Sequence, residues 1–143
     1  MTDRQLTILI VDDTPSARDL LEAILTQAGH RSYVASGVGE ALDALHSSPP
    51  FDLVLTDYNM PPATGADLLR AVRRDARYRD LPVFVVSAET DPTVRAGTEA
   101  AGANGWLPKP ICMPTLLSVV AAVARMTSGE GDLGIPTYRR IHR

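Results

Sequence analysis

Residues Leu53 to Gly65, LVLTDYNMPPATG, hold the reading that decides the fold. Leu53-Val54-Leu55-Thr56 is a short unbroken apolar run, the pattern of a strand covered on both faces. A carboxylate, Asp57, follows at once, and the chain then stiffens into Pro61-Pro62. A core strand that ends in an ionised acid and a rigid turn needs a reason, and the other strand ends supply one.

Two further runs resemble the first: Leu6–Val11 (LTILIV) and Leu81–Val86 (LPVFVV). Arg31–Ala35 and Ala103–Leu107 are weaker strand candidates. Between the runs lie segments of helical period. Thr14-Pro15 reads as an N-cap with proline at the first helical position. The stripe Ala17, Leu20, Leu21, Ile24, Leu25, Ala28 follows, and Gly29 stops it. Val38, Ala41, Leu42 and Leu45 mark a second helix. Gly65, Leu68, Leu69 and Val72 mark a third, capped by Thr64. Asp91-Pro92 opens a fourth, which Gly97 weakens by ~1 kcal/mol relative to alanine. Pro114 opens a fifth, ending near Met126. Strand–helix alternation of this kind predicts an α/β, doubly wound, five-stranded parallel sheet with helices on both faces. The flavodoxin-like strand order 2-1-3-4-5 fits, with Pro108 ending an edge strand.

The composition narrows the function. At 143 residues the chain is long enough for one core, and a net charge of −3 offers no basic field for nucleic acid. No apolar run is long enough to span a bilayer. Met1-Thr2-Asp3-Arg4-Gln5 lacks the regions of a signal peptide, and the single Cys112 fits a reducing compartment, so a cytoplasmic location is expected. Residues 5–127 read as one domain. Residues 128–143 (SGEGDLGIPTYRRIHR) read as a tail with no output domain, either a disordered terminus or a short basic docking segment.

In an open α/β sheet, ligands bind beyond the carboxyl ends of the strands where the strand order reverses. Strand one ends in Asp12-Asp13, strand three in Asp57 and strand four in Ser87, and Lys109 follows strand five. Three clustered carboxylates repel, by ~4 kcal/mol for each pair about 4 Å apart at an effective dielectric of 20. Protonation of one acid or a bound cation relieves this. Oxygen donors with no Cys or His cluster favour Mg²⁺; His30, His46 and His142 lie in unrelated segments and read as surface or cap residues. Such a site keeps positions for phosphate oxygens. Lys109 can then balance one phosphoryl oxygen and Ser87 can donate to another. Asp57, central on the rim, is the candidate nucleophile.

Asp12-Asp13, Asp57 within DYNMPPATG, Ser87-Ala88 and Lys109-Pro110 together resemble the receiver domain of bacterial two-component response regulators, over roughly Leu6 to Thr127. The resemblance implies phosphoryl transfer to Asp57 from the phosphohistidine of a sensor histidine kinase or phosphotransfer protein. It implies Mg²⁺ held by Asp13, Asp57 and the main-chain carbonyl of Asn59, with Asp12 acting mainly through water, and a cis peptide before Pro110. It implies a signalling phosphoacceptor with self-catalysed transfer and autodephosphorylation, rather than a turnover enzyme. Ser87 and the aromatic three residues before Lys109, here Trp106, are the expected switch pair. Family members more often have tyrosine, phenylalanine or histidine at that place. Ala63 and Thr64 replace the methionine and acid often found before the family glycine. Asn59 and Glu89 occupy the positions where the family tunes dephosphorylation.

Helix five is apolar nearly all round. Its surplus is expected either to serve a downstream protein target or a homodimer, through the helix 4–strand 5–helix 5 face, or to be an alanine-rich exposed surface. A kinase is expected to dock near Thr14, Pro15 and Arg18 and at the Ile111–Met113 loop. Two other classes compete. An aspartate-nucleophile phosphatase needs a second acid two residues after the nucleophile, where this chain has Asn59. A pure interaction module would not need the full set of side chains that is present.

Overall fold

A computed structural model describes residues 4–47 and 50–127; the expected tail over 128–143 lies outside the described residues. Five strands, β1 (Thr7–Val11), β2 (Arg31–Ala35), β3 (Leu53–Thr56), β4 (Val83–Ser87) and β5 (Gly105–Pro108), form one sheet. All neighbouring pairs are parallel and the spatial order is 2-1-3-4-5, as the alternation predicts. The helices are α1 (Pro15–Gln27), α2 (Val38–Ser47), α3 (Gly65–Arg74), α4 (Pro92–Ala100) and α5 (Met113–Thr127).

Period-2 alternation along the strands divides the core. Ile8 and Ile10 of β1 face one cluster with Leu21, Ile24 and Leu25 of α1 and Leu116, Val119, Val120 and Val123 of α5. Leu9 and Val11 face the other, with Ala41 and Leu45 of α2 and Leu68, Leu69 and Val72 of α3. α1 and α5 thus cover one face of the sheet, and α2, α3 and α4 cover the other. β3 has every side chain buried because it lies mid-sheet between β1 and β4.

The boundaries carry local physics. Gly29 takes φ +94° just past the end of α1, a conformation that favours glycine. Thr64 and Asp67 form a reciprocal capping box at α3. Asp91 caps α4 by accepting from the Thr93 N–H. Thr14 occupies the N-cap position of α1, but its side chain caps nothing; instead its own N–H donates to Asp12 Oδ1 at 2.9 Å. β4 starts at Val83 rather than Leu81, because the Leu81 N–H is bonded to the Tyr78 carbonyl in the turn that follows a 3₁₀ helix (Ala76–Tyr78). β5 starts at Gly105 rather than Ala103, because the Ala103 N–H turns back to Thr98 O of α4.

Two elements differ from their sequence reading in packing. Most of the apolar surplus of α5 lies inside the protein, since Ala122 and Ala124 are buried along with Leu116, Val119, Val120 and Val123. α4 buries only Thr98. Its far end is held by Arg73 of α3, whose guanidinium donates twice to Gly102 O, at 2.7 and 3.2 Å, and once each to Leu81 O and Asn104 Oδ1.

Candidate functional site

The sheet ladder itself assembles the rim. Just beyond β1 the Asp12 N–H donates to Ala35 O of β2. The Asp57 N–H, just past β3, donates to Val11 O of β1 at 2.8 Å. The Lys109 N–H, just past β5, donates to Ser87 O of β4 at 3.1 Å. Asp12, Asp57 and Lys109 are thus each anchored by a backbone hydrogen bond just past the end of a strand, Ser87 accepts one of these bonds, and the segments converge at the carboxyl edge.

The acids meet there. Asp12, Asp13 and Asp57 each bring a carboxylate oxygen to within 4.8 Å of the others. Their environments differ. Asp12 is 1% exposed and both of its oxygens are engaged, Oδ1 by the Thr14 N–H and Oδ2 by Lys109 Nζ at 2.8 Å. Asp57 is 9% exposed, accepts from its neighbour's Tyr58 N–H at 2.7 Å through Oδ1, and faces Lys109 Nζ at 3.3 Å through Oδ2. Asp13 is exposed and has no partner among the described residues. Burial opposes the charge on Lys109, but its hydrogen bond to Asp12 and the negative charges of Asp57 and Asp12 outweigh that cost. The ammonium's pKa is accordingly raised above its ordinary value. Lys109 faces two of the three acids and Arg18 reaches only the Asp12 main-chain carbonyl, so the carboxylates stay short of positive charge, and a hard, all-oxygen donor set of this kind fits a divalent metal ion.

Beside the acids lies a cavity of about 300 Å³ lined by Asp57, Asn59, Ser87, Ala88, Glu89, Thr90 and Lys109. Ser87 is buried, and its Oγ accepts from the Glu89 N–H at 3.1 Å. That use of a lone pair leaves the hydroxyl proton to be donated elsewhere. The Glu89 carboxylate, in turn, accepts from the Thr90 and Asp91 N–H groups, so the loop from Ser87 to the cap of α4 is one string of hydrogen bonds.

The turn after Asp57 is built for close approach. Asn59–Met60 and Ala63–Thr64 pair as a small antiparallel ribbon, with a cis peptide between Pro61 and Pro62; the Lys109–Pro110 peptide is cis as well, as expected. At Gly65 a Cβ would meet Asp57 O at 2.6 Å, while the Gly65 N–H donates to Tyr58 O at 2.7 Å. Only glycine lets α3 start this close to the Asp57 carbonyl. The helix-three marker in the sequence is thus also a site residue, a role its apolar spacing did not signal.

Trp106 is 3% exposed and turned into the core, its ring 6.1 Å from that of Tyr58, with the Arg95 guanidinium of α4 6.0 Å above it. Every candidate residue therefore lies on one rim except Trp106, which lies behind it and reaches it through Tyr58. Thr14, Pro15, Cys112 and Met113, expected to receive a kinase, are exposed where α1 and α5 begin, next to the rim. Arg18, expected as a docking residue, also donates to the Asp12 carbonyl at 2.7 Å.

A five-stranded parallel sheet in this order, with acids, hydroxyl and amine gathered at its carboxyl edge, defines a class of regulatory phosphoacceptor domain. The chain belongs to the response regulator receiver domain family, whose model matches residues 8–121. It is 38% identical over 123 residues to the chemotaxis protein CheY of Pseudomonas aeruginosa, covering 85% of this chain and 98% of that one. It is 33% identical to a segment of the sensory/regulatory protein RpfC of Xanthomonas campestris, covering 87% of this chain and 17% of that protein. Among solved structures it resembles chemotaxis protein CheY4 of Vibrio cholerae, with a TM-score of 0.78, 34% identity and coverage of 84% and 99%. It also resembles the receiver domain of a histidine kinase from Syntrophus aciditrophicus, with a TM-score of 0.76, 30% identity and coverage of 87% and 91%. Among the described residues no helix is long and apolar enough to cross a membrane.

Proposed function

We propose that Asp57 is the phosphoacceptor, taking a phosphoryl group from the phosphohistidine of a sensor histidine kinase or a phosphotransfer protein. One observation carries this: Lys109 Nζ lies 3.3 Å from Asp57 Oδ2, beside a cluster of carboxylates short of cations. An Asp57 oxygen attacks phosphorus, the P–N bond to imidazole breaks, and the imidazole leaves with the bonding electron pair. Lys109 balances charge on the transferring group, and the free proton of Ser87 is donated to a phosphoryl oxygen. Mg²⁺ would be held by Asp13, Asp57 and the main-chain carbonyl of Asn59, with Asp12 reaching it through water, and it would neutralise the phosphoryl oxygens. Loss of the phosphoryl group by the protein's own hydrolysis is the reverse arm of the switch, with Asn59 and Glu89 beside the cavity where water enters.

The output runs from Ser87 and Trp106 to the α4–β5–α5 face. Support comes from the thin packing of α4 and the string of hydrogen bonds that joins Ser87 to its cap. A downstream protein target or a second copy would read that face, in the cytoplasm, with no direct nucleic acid contact. Residues 5–127 are the signalling unit.

The test is acetyl phosphate with and without Mg²⁺, followed by intact-mass measurement. One phosphoryl group is expected on the wild type with Mg²⁺, and none on Asp57→Asn. An unlabelled wild type, or equal labelling of the variant, overturns the assignment.

A further inference from the structure

We infer that Arg18 of α1 is a positioning residue for the metal site, acting on Asp13 through the Asp12–Asp13 peptide. The inference rests on the metal-dependent reading above and adds a residue to it.

The three acids are not held alike. Asp12 and Asp57 have both carboxylate oxygens tied to N–H groups or to Lys109. Asp13 has no side-chain partner among the described residues, so no hydrogen bond orients its carboxylate. Its placement therefore depends on its main chain. That main chain is pinned at the preceding residue: the Asp12 N–H donates to Ala35 O, and Asp12 O accepts Arg18 Nη1 at 2.7 Å. The Asp12 carbonyl belongs to the same rigid plane as the Asp13 N–H. Arg18 is the side chain that locks that plane, reaching back from the first turns of α1, where Pro15 and the Arg18 N–H bond to Thr14 O set the helix in place.

Two effects of the guanidinium oppose each other. Its charge, close to an acid cluster, disfavours a second cation. Its hydrogen bond orients the ligand that binds that cation. Arg18 is half-exposed, so solvent screens the charge, whereas the hydrogen bond is short and charge-assisted. Orientation should win, and loss of an outer-shell partner typically weakens a metal site by about 10- to 100-fold.

The experiment measures Mg²⁺ affinity by calorimetric or fluorescence titration of the unphosphorylated full chain, for wild type, Arg18→Ala and Arg18→Lys. Thermal unfolding without metal is followed alongside. Arg18→Ala is expected to weaken Mg²⁺ binding about tenfold, with a nearly unchanged unfolding midpoint and faster amide exchange at Asp13 and Thr14. Arg18→Lys, which keeps the charge but not the planar fork, is expected to fall between the two. Equal or tighter binding by Arg18→Ala would mean that charge dominates and would overturn the inference. If the wild type itself bound no Mg²⁺, the metal-site reading would fail instead, and the two failures are distinct. Should Arg18→Ala lower the unfolding midpoint appreciably, amide exchange at temperatures well below unfolding decides: wild-type exchange at Asp13 and Thr14 in that variant overturns the positioning role.

Discussion

Lys109 and Asp57 are 52 residues apart in sequence, yet the ammonium of one lies 3.3 Å from a carboxylate oxygen of the other. The same ammonium also holds the buried Asp12 at 2.8 Å. Lys109 is the chain's only lysine, so its titration can be isolated. Folding raises its pKa, because the hydrogen bond to Asp12 and the charges of Asp57 and Asp12 outweigh the burial cost. A raised pKa means that the stabilisation is fully present below the ordinary lysine value of 10.5 and is lost as pH rises through the higher folded-state value. Urea midpoints of wild type and Lys109→Met, followed from neutral to strongly alkaline pH, should therefore converge as the ammonium deprotonates. Parallel curves would show that the contact contributes nothing.

Gly65→Ala tests the approach of α3 to the site. The added Cβ would sit 2.6 Å from Asp57 O, a backbone atom that cannot swing aside. Overpacking of this kind costs about 2 kcal/mol. Because the displaced atom belongs to the acceptor residue, labelling by acetyl phosphate should slow as well. A variant with wild-type urea midpoint and labelling rate would show that the turn has room that the geometry denies it.

Two threonines that look alike in sequence should behave differently. Thr64 closes a capping box with Asp67, so Thr64→Ala should cost about 1 kcal/mol by urea denaturation. The Thr14 side chain caps nothing, so Thr14→Ala should cost far less. Both residues precede a helix and both suit an N-cap by type. What separates them is tertiary: the Asp12 carboxylate already takes the Thr14 N–H and draws that turn toward the rim.

The same distinction marks what the amino-acid pattern could reveal. Strand runs, their terminal acids and the order 2-1-3-4-5 follow from local hydrophobicity and chain connectivity, and so did the convergence of Asp12, Asp13, Asp57, Ser87 and Lys109. The burial of α5 is not legible in the pattern, because Ala122 and Ala124 lie outside a single apolar stripe and look like surplus, yet both are fully buried. The ribbon of Asn59–Met60 with Ala63–Thr64 is too short for period-2 alternation to register. The roles of Arg73 and Arg18 are illegible for another reason: apart from Asn104 Oδ1, the partners named for them are main-chain carbonyls, and no side-chain pattern advertises a carbonyl.

Arg73 should prove a stability residue, not a phosphorylation residue. Its fork joins α3 to the start of β4 and to the α4–β5 turn, at the opposite end of the sheet from the acids. Gly102 accepts it at φ +116°, where a Cβ would meet Arg73 Nε at 2.8 Å. Arg73→Lys keeps the charge but loses the fork, and should cost about 3 kcal/mol. Labelling of Asp57 at temperatures well below unfolding should remain close to wild type. A large loss of labelling with unchanged stability would contradict this placement.

Trp106 should report the chemistry at Asp57 without touching it. Asp57 Oδ1 accepts from the Tyr58 N–H, the Tyr58 ring lies 6.1 Å from Trp106, and Trp106 is the only tryptophan. Phosphorylation turns the carboxylate into an acyl phosphate, a mixed anhydride with less charge on its carboxyl oxygens and strong acceptors beside it, which weakens the bond from the Tyr58 N–H. Because the core is close-packed, a shift of Tyr58 is passed to the indole and on to Arg95 of α4, whose guanidinium sits 6.0 Å over it. Beryllofluoride with Mg²⁺, standing in for the phosphoryl group, should change the Trp106 emission in wild type and leave it unchanged in Asp57→Asn. Tyr58→Ala should still take up beryllofluoride, measured by ¹⁹F NMR, but with a much smaller change in emission. Undiminished emission changes in Tyr58→Ala would place the coupling on another path, through Ser87 and the loop to α4.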